Sequence, residues 1–191
     1  MEEKLLAIAD EVIALSASNE QIEVIAVHDQ ETDIRVYKGE LESFTASESQ
    51  GVGIRVVQDG RQGMAYAGSL DMEILKETLS EARDNATFGT FDEMLQIAEP
   101  DNVEPISLDL YNPALKEFAT EDKITLAKEL EEYIMKSDER IVGVESSEYV
   151  DSISASAIVT SSGIRRSSYD GGCYIAGSSL ASDGKDMQTG F

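Results

Sequence analysis

Residues 51–68 read GVGIRVVQDGRQGMAYAG, and the fold turns on what this run becomes. A phosphate-binding loop needs Gly, four residues, then Gly-Lys-Ser/Thr, so that backbone N–H groups and a lysine amine surround the phosphates; no such lysine follows Gly51 or Gly53. A dinucleotide fingerprint needs a third glycine three residues after the second, yet Arg55, Val56 and Val57 follow here. Alternation fits instead. Val52, Ile54 and Val56 share one side of a strand, Asp59-Gly60 forms a tight turn, and Met64 and Tyr66 lie on the returning strand. The run predicts a β-hairpin.

Composition narrows the classes. With 15 basic and 38 acidic residues among 191, the net charge is −23, which repels nucleic-acid phosphates and anionic membranes. No direct nucleic-acid or membrane partner is expected. The acids are spread along the chain, which reads as a solvated surface, with an acidic interaction face or DNA mimic as the alternative. The single cysteine, Cys173, forbids an intrachain disulfide and suits a reducing compartment. Acidic residues occupy the start, MEEKLLAIAD, where a secretory signal would be basic, and no apolar run reaches membrane length. A cytoplasmic protein is expected.

Outward from the hairpin, the hydrophobic period switches twice. Leu5, Ile8, Val12 and Leu15 make one helical stripe. Ile22, Val24 and Ala26 alternate, Ile34 and Val36 form a second run, and Lys38-Gly39-Glu40 turns into Leu41–Ser47. Ser69 or Asp71 caps a helix with the stripe Leu75, Leu79, Ala82, Ala86. Pro100, Pro105 and Pro113 punctuate an aperiodic stretch, and Thr120 caps a last helix with Ile124, Ala127, Leu130 and Ile134 as its stripe. Ser137-Asp138-Glu139 ends it.

Both halves enter their strands alike, through Ser18-Asn19-Glu20-Gln21-Ile22 and Ser137-Asp138-Glu139-Arg140-Ile141, and Gln58-Asp59-Gly60-Arg61 has a counterpart in Ser182-Asp183-Gly184-Lys185. Each half reads as a helix followed by a meander of about four strands. That is the pattern of an internal duplication, or of any two helix-plus-hairpin units. The predicted class is α+β, with two helix-plus-antiparallel-meander subdomains: a first domain over 1–88, a proline-containing linker over 89–119, and a second domain over 120–191. The last residues, Met187–Phe191, read as a strand without a stop signal, as if the chain were cut there.

No catalytic, cofactor-binding or metal-ligating residue can be named from spacing. With His28 alone, a two-histidine zinc helix or a Cys/His cluster cannot form. His28 stands in VHDQETD, read as a strand end entering a turn, so it is expected to be an exposed turn histidine. Asp29, Glu31 and Asp33 lack the glycine and terminal glutamate of a calcium loop. Cys173 alternates with Ile175 and is expected in a core. No G-x-S-x-G elbow accompanies the serines of 146–168. Arg165-Arg166 reads as the exposed face of a strand, with an acid-binding pair as the alternative. Phe88, Phe91, Met94 and Leu95 are expected to be buried within the chain, the alternative being a surface for a partner.

Taken in order, several pieces carry a resemblance. Tyr37-Lys38-Gly39-Glu40-Leu41-Glu42, then Ser47-Glu48-Ser49-Gln50-Gly51-Val52-Gly53-Ile54-Arg55-Val56, then Asp59-Gly60-Arg61-Gln62-Gly63 are similar to the N-terminal region of the TldD/PmbA family. Asp109-Leu110-Tyr111-Asn112-Pro113, the helix 123–133, Asp138-Glu139-Arg140-Ile141, Ser161-Ser162-Gly163 and Asp186-Met187-Gln188-Thr189-Gly190 resemble its PmbA (TldE) branch. Together they span nearly the whole chain.

The resemblance implies a longer protein, one half of a cytoplasmic TldD–TldE hetero-oligomer that cleaves peptides and has also been described as a modulator of DNA gyrase. It implies a zinc-like metal on an H-E-x-x-x-H helix of the TldD-type partner and none in this chain, where nothing matches those ligands. The expected role is thus non-catalytic: shaping a substrate chamber and binding a TldD-like subunit, with a peptide as substrate and self-association allowed. Whether this chain is itself an enzyme is left open. An acidic regulatory binding protein acting on a DNA-handling enzyme without proteolysis is the alternative.

Overall fold

A computed structural model describes residues 1–191 apart from Asn102, Pro105 and Ser107, so the reading of Pro105 as a linker proline lies outside the described residues. The elements run α1 (Glu2–Ile13), β1 (Glu20–Tyr37), β2 (Glu40–Gln58), β3 (Arg61–Ala67), α2 (Met72–Phe88), α3 (Ala114–Glu117), α4 (Thr120–Ser137), β4 (Ile141–Thr160), β5 (Arg165–Ser182) and β6 (Met187–Gly190). One six-stranded sheet has the order β3-β2-β1-β4-β5-β6. The class is α+β. Each half contributes a meander, of three strands rather than four, and the first strands of the two meanders are neighbours at the centre of the sheet.

The hairpin of the opening stretch forms as predicted. Asp59 and Gly60 have φ of +51° and +67°, the left-handed pair that a two-residue turn requires, and Val52–Gln58 pair with Arg61–Ala67. Lys38 and Gly39, at +53° and +76°, make the same kind of turn between β1 and β2.

One expectation fails in β1. Residues 28–33 do not turn: the strand runs unbroken for 18 residues. Between Glu20 and Tyr37 there is no glycine or proline, and pairing on both flanks satisfies the backbone even where the side chains are polar. His28 is consequently buried, not an exposed turn residue.

Four strands of 18 to 20 residues are long enough to serve two compact units. The first comprises 1–29, 48–109 and 154–170; the second comprises 30–47, 110–153 and 171–191.

In the first unit α1 and α2 cover one face of the sheet. Leu5, Ala9 and Val12 of α1 and Leu75, Leu79 and Ala82 of α2 meet Ile22, Val24, Ala26, Val52, Ile54, Val56, Ala155 and Ala157. Each fully buried Leu, Ile or Val contributes about 1.5–3 kcal/mol over its exposed state. Asp71 caps α2 as predicted, its Oδ1 accepting the N–H groups of Glu73 and Ile74. Gly63 is what lets α2 lie so close to β3: a Cβ there would come within 2.1 Å of Ala82 O and Ala86 N.

The second unit has a thinner core. Ala127 of α4 packs with Ile34, Val36 and Tyr149, flanked by half-buried Ile124 and Leu126. Thr120 opens α4 without a capping side chain, the N-cap position falling on Ala119. The predicted stripe is incomplete, because Lys123 and Glu131 are buried on the same helix, and each buried charge requires a partner.

Candidate functional site

Lys123 finds its partner in Asp151 of β4, both nearly inaccessible, and its ammonium lies 5.6 Å from the Tyr149 ring centroid. Phe118 meets that ring at 5.9 Å. Burial, reinforced by Asp151 and Cys173, raises the Tyr149 phenol well above its ordinary value. This cluster is charged but closed, and it presents no base to solvent.

Glu131 is engaged differently. Its Oε1 accepts the backbone N–H of Lys38 and its Oε2 that of Gly39, each at 2.6 Å. Consecutive N–H groups of a left-handed turn converge on one side and form an anion-binding concavity, which this carboxylate fills from α4. The turn is thereby held against the helix.

Beside it opens a recess of about 840 Å³. Tyr37 and Lys38 of the turn, Lys128 and Met135 of α4, and Val142 and Val144 of β4 are among its walls. Its charged groups are unequal. Glu131 is bonded as described, Glu132 pairs with Lys136, and a Glu145 oxygen accepts the Ser178 hydroxyl at 3.3 Å. Lys38 lies 4.9 Å from the Tyr37 ring centroid, and neither it nor Lys128 has a carboxylate partner among the described residues.

The residues singled out by sequence are scattered. Nε2 of His28 is 2.6 Å from Glu48 Oε1. Asp29 accepts the Ser154 hydroxyl instead of turning toward Glu31 and Asp33. Arg165 sits on the exposed part of β5 and pairs with Asp10 of α1. Cys173 is exposed, which corrects its placement in a core: Gly171 and Gly172 beside it supply no side chains to cover it. Phe88, Phe91 and Met94 are 88%, 60% and 78% exposed, so their expected burial within the chain also fails. The segment carrying them is nevertheless pinned, by Asp92 N–H to Gly60 O and by buried Ile97, whose N–H is accepted by Gln21 Oε1.

The sheet also has an open margin. β3 pairs only with Val52–Gln58, so among the described residues Glu40–Gly51 of β2 has no strand on its outer side. Every residue from Glu40 to Gln50 is exposed, Leu41 and Phe44 included. Sequence reasoning missed this edge and the Glu131 lock, because neither leaves a local signal.

A metal of the kind held by paired histidines does not fit this chain. His28 is the sole histidine and already engages Glu48, and among the described residues no three of His, Cys, Asp and Glu converge. No described helix is long and apolar enough to cross a membrane.

Two sequence-family profiles match the chain: PmbA/TldA metallopeptidase domain 1 over residues 22–86 and the PmbA/TldA metallopeptidase central domain over residues 113–191. No curated protein sequence matches it. Among solved structures, a candidate modulator of a DNA gyrase from Thermotoga maritima is similar with a TM-score of 0.78 at 20% identity, over 96% of this chain and 41% of its own. A candidate modulator of DNA gyrase from Bacteroides thetaiotaomicron gives 0.78 at 18%, over 98% and 43%. TldE from Thermococcus kodakarensis gives 0.76 at 17%, over 97% and 40%. The chain thus spans about two fifths of the length of these structures. With the first-domain and central-domain profiles together covering most of its residues, the chain belongs to the PmbA/TldD family.

Proposed function

We infer that this chain is the N-terminal part of a PmbA/TldE-like subunit of a cytoplasmic TldD/TldE-type metalloprotease assembly that cleaves peptides. Its sequence division is a first domain over 1–88, a linker over 89–119 and a second domain over 120–191. Its role is to shape the substrate chamber and to bind a TldD-like subunit, which holds the metal and performs the hydrolysis. The observation that carries this reading is the open edge of β2. Eleven consecutive exposed residues, Glu40–Gln50, contain no proline and no lysine, and of the three glutamates among them Glu42 and Glu48 are drawn to Arg35 and His28, so the edge is only weakly blunted. An edge of this kind offers main-chain hydrogen bonds to an extended segment with little regard to its sequence. The exposed Phe88 and Met94, carried on a pinned segment, suit a protein contact.

The test is peptidase activity on unstructured peptides, using a purified TldD-type subunit with and without this chain, each with and without a chelator. Activity that rises on adding this chain and vanishes with the chelator is expected. A chain that neither binds the TldD-type subunit in sedimentation nor changes its activity overturns the reading.

A further inference from the structure

We propose that the outer edge of β5 over Gly172–Ser178 is the seat of a strand formed by the residues that follow Phe191 in the longer subunit. The inference rests on reading this chain as the N-terminal part of such a subunit. β6 pairs with β5 only through Ser179–Ser182, and among the described residues β5 has no other strand on its outer side. At the far end of this gap Gly171 donates its N–H to Leu110 O at 3.0 Å, away from β4, whereas Ser182 donates to Arg140 O, beside the start of β4. Alternation along the strand then turns the N–H and C=O groups of Cys173, Ile175 and Gly177 toward the open side. The sheet leaves them without a partner strand. Every residue of Gly172–Ala176 is exposed, and Gly171–Ser182 contains no charge and no proline, the devices that protect an edge left to solvent.

The register of the β5–β6 hairpin identifies the occupant. Ser182 pairs with Met187 and Ser179 with Gly190, so Phe191 falls opposite Ser178, and a chain continuing in the same line passes Gly177, Ile175 and Cys173 in turn. A second copy does not fit there, because a neighbouring β5 of 18 residues would run into β6, which already holds the same edge. The side chains of the continuing strand are constrained as well. A Cβ on Gly177 would meet Ile134 Cδ1 of α4 at 2.2 Å, and one on Gly171 would meet Leu115 Cδ2 of α3 at 3.2 Å, so the odd-numbered positions of β5 face the helices. Residues directly opposite in an antiparallel pair share a face. The third and fifth residues after Phe191, opposite Ile175 and Cys173, are therefore expected to be apolar and to cover Ile175, which is 42% exposed. With β5 paired in this way, the edge left for a peptide is that of β2.

The test compares this chain with the same chain extended by about ten of its own following residues, enough for one strand. Amide hydrogen exchange is followed at Cys173, Ile175 and Gly177. In the 191-residue chain these amides should exchange fast, and in the extended chain they should slow by about tenfold or more, while Cys173 loses its ready reaction with a maleimide. Proline placed at the third residue after Phe191 removes the N–H that would meet Ile175 O, and should restore fast exchange at Ile175 and Cys173. Unchanged exchange in the extended chain overturns the proposal, as does a proline variant that stays protected. Protection of the three amides in the 191-residue chain, together with sedimentation as a dimer, would give the edge to a second copy and also overturn it. A reading frame that stops at Phe191 would remove the N-terminal reading itself, which separates that failure from the others.

Discussion

Glu131 of α4 accepts the backbone N–H of Gly39 at 2.6 Å and, through its other oxygen, that of Lys38. One carboxylate thus closes the turn that reverses the chain from β1 into β2, from a position 92 residues away in sequence.

Removing that carboxylate leaves two backbone donors poorly satisfied. Glu131→Ala should cost about 1–3 kcal/mol, read as a fall in Tm of roughly 3–10 °C. Glu131→Gln, which keeps one acceptor, should fall between. An unchanged Tm in both variants would show that water replaces the lock at no cost.

Arg83 of α2 holds Glu20 at the start of β1, with Nε to Oε2 at 3.0 Å and Nη2 to Oε1 at 2.6 Å. The Arg83 hydrogen bond holds the Glu20 carboxyl below its ordinary value near 4.5, against the opposing effect of burial. A carboxyl that titrates lower when folded stabilises fully above that ordinary value, and the contribution is lost as the pH falls through the lower folded value. Arg83→Gln should cost about 1 kcal/mol at neutral pH, modest because the arginine is partly solvated. In urea unfolding the gap between the two proteins should narrow as pH falls below about 4.5; a gap that stays constant would detach it from Glu20.

Gly63 and Gly53 should behave oppositely. A Cβ on Gly63 would come within 2.1 Å of the α2 backbone, whereas one on Gly53 meets nothing within 4 Å. Gly63→Ala should destabilise by about 2–3 kcal/mol or more, and Gly53→Ala by no more than about 0.5 kcal/mol. Equal denaturation midpoints for the two variants would refute the close α2–β3 packing.

Cys173 should react to completion with a maleimide in the folded state, since its side chain is exposed. Labelling that requires denaturant would return it to the core position expected from sequence.

The first half of the fold was legible locally. Asp59-Gly60 and Lys38-Gly39 carry turn chemistry in their own residues, Asp71 caps its own helix, and the Leu75, Leu79, Ala82, Ala86 stripe is fully buried, because each of these depends on neighbours within a few positions. His28 and Cys173 were misplaced for the opposite reason. Burial of the first depends on how far β1 continues and on Glu48, and exposure of the second on what covers a strand flanked by glycines.

By itself, then, the sequence determined the three long helices, the Lys38-Gly39 and Asp59-Gly60 turns and, through the order of its motifs, the family. Only the tertiary structure decided where the charges sit. Lys123 with Asp151 and Glu131 with the β1–β2 turn are pairings between segments 28 to 93 residues apart, and the recess and the open edge of β2 exist only after those segments meet. Periodicity records which face of an element is apolar; it carries no record of which distant donor or acceptor that face will meet.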